Sequence, residues 1–132
     1  MKKIYVLEHF DFSKEQLNRL NALGEVFYFN KATKQEIERA IEDSDAILLD
    51  WIDPDPILKK MKAGQFICLP YTGYDWIKNI ELASQNGVVI SNTPNYSTNA
   101  VAEHHLGLIF DCAKHITSFN NIYKRGGGKY SL

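Results

Sequence analysis

Six residues directly after an apolar run, Pro70-Tyr71-Thr72-Gly73-Tyr74-Asp75, have the composition of a ligand loop. Gly73 lets the backbone approach a ligand closely, and the amides around it can form an anion-binding concavity suited to a carboxylate. The competing reading is a plain turn, with Gly73 at positive φ and Asp75 capping a helix near Trp76. A second loop, Asp50-Trp51-Ile52-Asp53-Pro54-Asp55-Pro56, offers an aromatic wall for a small apolar pocket. In a structural reading, Trp51 is ordinary packing and Asp53 or Asp55 caps a helix that has Pro56 in its first turn. The third loop runs from Asn92 to Asn99, where Pro94 stiffens the chain and Ser97, Thr98 and Asn99 can cap a following helix. Capping does not account for Tyr96.

Other chemistry is weakly supported. His104 and His105 are adjacent, so on a helix they point about 100° apart and cannot converge on one ion. Glu103 with His104 is a poor acid/base pair for the same reason, and His9 and His115 are isolated. No metal site and no catalytic residue is therefore predicted. The two cysteines, Cys68 and Cys112, have no metal-type spacing and read as reduced, mostly buried thiols. The glycines 126–128 follow a helix and not a strand, and no G-x-G-x-x-G occurs, so no dinucleotide site is encoded in these 132 residues.

The elements that position these loops alternate from the first residue. Apolar runs at 4–7, 26–29, 46–49, 66–69 and 88–90 read as five short strands. Amphipathic segments lie between them, two opening with capping-box spelling at Ser13 with Gln16 and Thr33 with Glu36. Gly24 and Gly87 stand where left-handed C-caps are expected. Short, continuous apolar strands, each followed by a helix, predict a flavodoxin-like, doubly wound parallel α/β sheet of about five strands. All three loops then fall at its carboxyl edge, where such sheets bind ligands. One long helix is expected over roughly Asn99 to Tyr123, apolar around most of its circumference and so in need of cover on more than one side. The reading divides the chain into a sheet domain at 1–98, that helix at 99–123 and a linker or tail at 124–132.

Hydrophobic residues make up 45%, charged residues 23%, and the formal net charge is -1, so nothing resembles a basic nucleic-acid stripe. No apolar run is long enough for a membrane span and the amino terminus reads as a strand, which predicts a cytoplasmic protein.

These residues resemble the D-isomer-specific 2-hydroxyacid dehydrogenases, NAD-dependent enzymes that interconvert 2-oxo acids and D-2-hydroxy acids. The match runs from KKIYVLEHFD through YTGYDWIKNIELASQNGVVISNTP to NYSTNAVAEHHLGLIF, with Gly73, Ala83, Val89 to Pro94 and Val101 to His104 in the family's order. The resemblance implies a substrate domain in which the amides around Gly73 and Tyr74, in the loop that also carries Thr72, hold the substrate carboxylate. It implies that Trp51 contacts the substrate side chain, and that Tyr96 and Ser97 border the substrate and the nicotinamide. Tyr96 is similar to the D-lactate dehydrogenase branch, whereas Tyr74 stands where the family usually has a small aliphatic residue. The family's catalytic arginine, glutamate and histidine, and its dinucleotide motif, belong to a cofactor domain beyond Leu132 and have no counterpart here; His104 aligns with a histidine that is not the catalytic one. The expectation is a truncated, inactive chain, a homodimer through the apolar stretch between Ala100 and Phe119, with NAD bound only by the parent enzyme. A stand-alone carboxylate-binding or regulatory module is the alternative. A phosphoacceptor domain using Asp50 is a third reading, poorly met by Glu8 and Asp11 and by a fifth strand without a following lysine.

Overall fold

The computed structural model describes residues 1–126, which fall into two compact units, one of Met1–Pro94 and one beginning at Asn95. The first unit contains β1 (Lys3–Val6), α1 (Lys14–Leu23), β2 (Glu25–Tyr28), α2 (Lys34–Asp43), β3 (Ala46–Leu48), α3 (Asp55–Leu58), β4 (Phe66–Cys68), α4 (Glu81–Asn86) and β5 (Val89–Ser91). The second contains α5 (Thr98–Lys114) and α6 (Ile116–Lys124).

The five strands form one sheet in the order β2-β1-β3-β4-β5, and every pair is parallel. This is the flavodoxin-like order, and it follows from strands that bury both faces. Tyr5, Val6 and Leu7 are all fully buried at the sheet's centre, so alternation disappears and the strand reads as a continuous apolar run. Tyr5, Ile47 and Ile67 are register partners across β1, β3 and β4. Together with Leu49, Leu58 and Leu69 they form the core, each fully buried side chain of this size contributing about 1.5–3 kcal/mol.

Both capping boxes form. The Ser13 hydroxyl accepts from the Gln16 amide at 3.2 Å while the Ser13 amide donates to Gln16 Oε1 at 2.8 Å. Thr33 and Glu36 repeat the exchange at 3.4 and 2.6 Å. Gly87 closes α4 in the left-handed region at φ 68°. Gly24 does not: its φ of 173° is extended backbone, and the demand for glycine is steric. A Cβ there would lie 2.2 Å from the Lys2 carbonyl oxygen, the acceptor for the Glu25 amide that opens the β1–β2 ladder at 2.8 Å.

The single helix expected from Asn99 to Tyr123 is two helices. His115 sits between them at φ 54° and ψ 35°, its amide donating back to the Asp111 carbonyl. The Asp111 carboxylate accepts from the Thr117 amide at 2.7 Å and the Thr117 hydroxyl at 3.0 Å. The first of these bonds satisfies the Thr117 amide at the start of α6, as short polar side chains do when they compete with helix continuation. The two bonds offset the roughly 1–2 kcal/mol that a left-handed non-glycine residue costs. No residue of α5 or α6 is buried. Cys112, on α5, is consequently exposed and Cys68 half-buried, which corrects the expectation of two mostly buried thiols. In the stretch read as a tail, Lys124 closes α6 and Gly126 turns at φ 75°; the remainder, 127–132, lies outside the described residues.

Candidate functional site at the carboxyl edge of the sheet

All five strands end at the carboxyl edge, and the loops after β1, β3, β4 and β5 carry the candidate residues. After β1, Glu8 reaches across to the loop after β3, and one of its oxygens, Oε2, accepts from the amides of Asp50, Trp51 and Ile52 at 2.6, 2.9 and 3.3 Å. Three successive amides converging on one oxygen make an anion nest filled by the chain's own carboxylate. Glu8 is thereby committed to the loop, which removes it from the acidic pair a phosphoacceptor reading would need. Trp51 is pinned by its backbone amide yet the residue is 88% exposed, so it is not core packing.

Asp50 is half-buried, and burial first, then the Glu8 charge, raises its carboxyl above the ordinary range. Tyr71, in the loop after β4, has a buried hydroxyl without a hydrogen-bond partner among the described residues. Burial, reinforced by the charges of Asp50 and Glu8, pushes its pKa up to about 12, so the phenol stays neutral. Burial likewise raises the Cys68 thiol.

The Thr72–Gly73–Tyr74 loop is strapped to the loop after β5. The Asn92 amide group donates to the Thr72 carbonyl at 2.7 Å, and the Thr72 hydroxyl to the Thr93 carbonyl at 3.1 Å. The Thr93 amide donates to the Tyr71 carbonyl at 3.0 Å. From the other side, Trp76 Nε1 donates to the Gly73 carbonyl at 3.3 Å, and its ring lies 5.6 Å from that of Tyr71. The loop's carbonyls are thus engaged. Its amides are not: among the described residues, those of Thr72, Gly73 and Tyr74 donate to no protein acceptor. A Cβ on Gly73 would meet nothing within 4 Å. Gly73 is also outside the left-handed region, which holds Gly64, Gly87 and Gly126 among the described glycines, so the positive-φ turn reading is corrected.

The capping expectations are corrected too. Residues 75–80 form turns, not a helix near Trp76, and the carboxylate that satisfies their amides is not Asp75 but the buried Asp55. Asp55 accepts from Lys78 at 3.3 Å and from Asn79 at 3.0 Å. Asp53 accepts from the Asp55 amide at 3.0 Å, while Pro54 is the N-cap residue of α3.

In the second unit, Tyr96 is 65% exposed, and Ser97 occupies the N-cap position of α5 without a side-chain capping bond. The backbone bond from Val101 to the Ser97 carbonyl at 2.9 Å begins the helix instead. His105 Nδ1 lies 2.7 Å from the Val101 carbonyl, a local helix bond. Among the described residues no group of three His, Cys, Asp or Glu side chains could hold a metal, and no helix is long and apolar enough to cross a membrane.

A depression of about 410 Å³ at the opposite, amino edge is lined by Lys2, Asp43, Asp45, Lys62 and Gln65. Its polar groups already serve one another, as in the 2.6 Å Lys2–Asp45 ion pair and the bonds from Gln65 to the Ile41 and Ser44 carbonyls.

A doubly wound parallel sheet in the order β2-β1-β3-β4-β5 places the first unit in the flavodoxin-like α/β class. The chain belongs to the D-isomer specific 2-hydroxyacid dehydrogenase family, matching the model of its catalytic domain over residues 4–122. It is 28% identical over 116 residues to D-3-phosphoglycerate dehydrogenase of Methanocaldococcus jannaschii, covering 86% of this chain and 22% of that one. It is 34% identical over 93 residues to 2-hydroxyacid dehydrogenase A of Aspergillus oryzae, covering 67% and 26% respectively. The chain therefore spans about a quarter of the length of these relatives. Among solved structures, an acyclic imino acid reductase in complex with NADPH and D-Arg superposes with a TM-score of 0.80 at 24% identity, over 99% of this chain and 43% of that one.

Glu8, Asp55 and the Asn92–Thr93 strap are the parts of the site that motif reading did not assign. Glu8 and Asp55 act on loops 42–44 and 23–24 residues away, and no spacing rule announces such pairs.

Proposed function

We propose that these residues form the substrate-binding part of a D-2-hydroxyacid dehydrogenase, holding a small 2-oxo or 2-hydroxy carboxylate at the carboxyl edge of the sheet. The observation that carries this is the run of three unengaged amides at Thr72, Gly73 and Tyr74, held in place through their carbonyls and flanked by exposed aromatics. Charge-assisted bonds from these amides receive the carboxylate. Trp51 lines the ligand's side chain and Tyr74 borders it, while an NAD or NADP cofactor is carried by a second domain of the parent enzyme. That cofactor supplies the hydride. This part of the enzyme holds the ligand and performs no reduction by itself, since no group among the described residues is placed to polarise the carbonyl or deliver the proton.

The test is an amide-resolved NMR titration of the labelled chain with pyruvate. Shifts concentrated at Thr72, Gly73 and Tyr74 with a dissociation constant on the order of millimolar, about -4 kcal/mol, are expected. Absence of shifts there at saturating pyruvate overturns the carboxylate reading. The same protein with NADH and a panel of 2-oxo acids is expected to show no turnover, and NADH oxidation would overturn that part.

The same family reading pairs two copies of the chain through α5 and α6. Leu106, Leu108, Ile109 and Phe110, with Ile116 and Phe119, are each more than half exposed or at half exposure, an apolar surface larger than isolated exposed side chains account for. Sedimentation at micromolar concentration is expected to give twice the 15.1 kDa chain mass, and Ile109→Asp to return a monomer. A parent chain that sediments as a monomer removes the dimer.

A further inference from the structure

Two neighbouring strand ends each present three consecutive amides, and the chain treats them differently. After β3 the amides of Asp50, Trp51 and Ile52 all donate to Glu8. After β4 those of Thr72, Gly73 and Tyr74 donate to nothing among the described residues. The strands are adjacent and in register, Leu48 opposite Cys68, so the loops leave the sheet side by side, about 5 Å apart at their roots.

We propose that Glu8 is an internal carboxylate that fills the first amide cradle and so makes the site selective for 2-oxo monocarboxylates over diacids. With the cradle after β3 taken, a ligand carboxylate has only the amides of Thr72, Gly73 and Tyr74, and the rest of the ligand extends toward Trp51. That fixes which way round the ligand lies. A second carboxylate at the far end meets Glu8 and Asp50. Neither is in an ion pair with a lysine or arginine among the described residues, and the Asp50 carboxylate accepts no hydrogen bond among them. Like charge placed there is rejected without any steric block, the way rim charges suppress wrong partners.

This inference rests on the reading of the Thr72, Gly73 and Tyr74 amides as the carboxylate site, and the experiment separates the two. The full chain is titrated by NMR with 2-oxopentanoate and with 2-oxoglutarate, which differ by a terminal methyl against a carboxylate. The parent is expected to bind 2-oxopentanoate at least about tenfold more tightly. Glu8→Gln keeps an oxygen for the three amides and removes the charge, and is expected to narrow the ratio to below about threefold. Asp50→Asn narrows it independently and stands in where Glu8→Gln does not fold. A purely structural role for Glu8 lowers both affinities together and leaves their ratio alone. Equal affinities in the parent, or a ratio unchanged in both variants, overturn the inference while the carboxylate site stands. A parent that binds neither acid overturns the carboxylate site, and the inference with it.

Discussion

Gly24→Ala unfolds at a markedly lower urea concentration than the parent chain. The added Cβ lies 2.2 Å from Lys2 O and 2.9 Å from the Lys2 carbonyl carbon, far inside any van der Waals contact. Both are backbone atoms, so no side-chain rotation relieves the clash. The Lys2 carbonyl must move, and with it the bond from the Glu25 amide at 2.8 Å that aligns β2 with β1. Overpacking at a site that cannot yield costs about 3 kcal/mol, which lowers the midpoint by roughly 1–2 M urea for a protein of this size. Gly107→Ala, where a Cβ meets nothing within 4 Å, serves as the control and gains a little helix propensity. Coincident midpoints for Gly24→Ala and the parent would show that the backbone relaxes freely there.

The second large effect belongs to Asp55. The residue is 7% exposed, and its carboxylate accepts from two amides in the turns between Tyr74 and α4. Asp55→Ala withdraws both acceptors at once. Hydrogen bonds to a charged group are worth about 1.5–3 kcal/mol, so a loss of about 2–3 kcal/mol is expected in urea. The local consequence is more diagnostic: the amides of Lys78 and Asn79 exchange with solvent much faster, and the loosened turn begins four residues after Tyr74. Asp55→Asn retains a neutral acceptor and is expected to fall between. If protection at Lys78 and Asn79 is the same in Asp55→Ala as in the parent, these bonds do not hold the turn.

The order of elements was legible because each strand is short, apolar and followed by a helix. The two capping boxes were legible because their partners are three residues apart. The loops after the strands could be placed at one edge because the parallel topology sends every strand's carboxyl end there. Longer-range features were not. Nothing near Glu8 in sequence says that it will bind the amides of residues 50–52, and nothing near Asp55 says that it will satisfy Lys78 and Asn79. Gly24 illustrates a subtler gap: glycine after a helix is consistent with a left-handed cap, and only the proximity of Lys2 reveals that its missing Cβ is what matters. At His115 an apolar helical pattern continues on both sides, and the signal that ends α5 is the pair Asp111 and Thr117, whose polar groups are ordinary surface residues in a periodicity reading.

The break at His115 also resets the angular phase of the second unit. A continuous helix from residue 98 to 124 would present one ridge of about 40 Å at 1.5 Å per residue. Divided as α5 and α6, with 17 and 9 residues, it presents ridges of about 25 and 13 Å whose directions are set separately. Ile116, Phe119 and Ile122 therefore do not extend the stripe that carries Leu106, Ile109 and Phe110. A partner that meshes with the longer ridge as a straight helix can do so for under five turns, and must change direction at His115 to engage the shorter one.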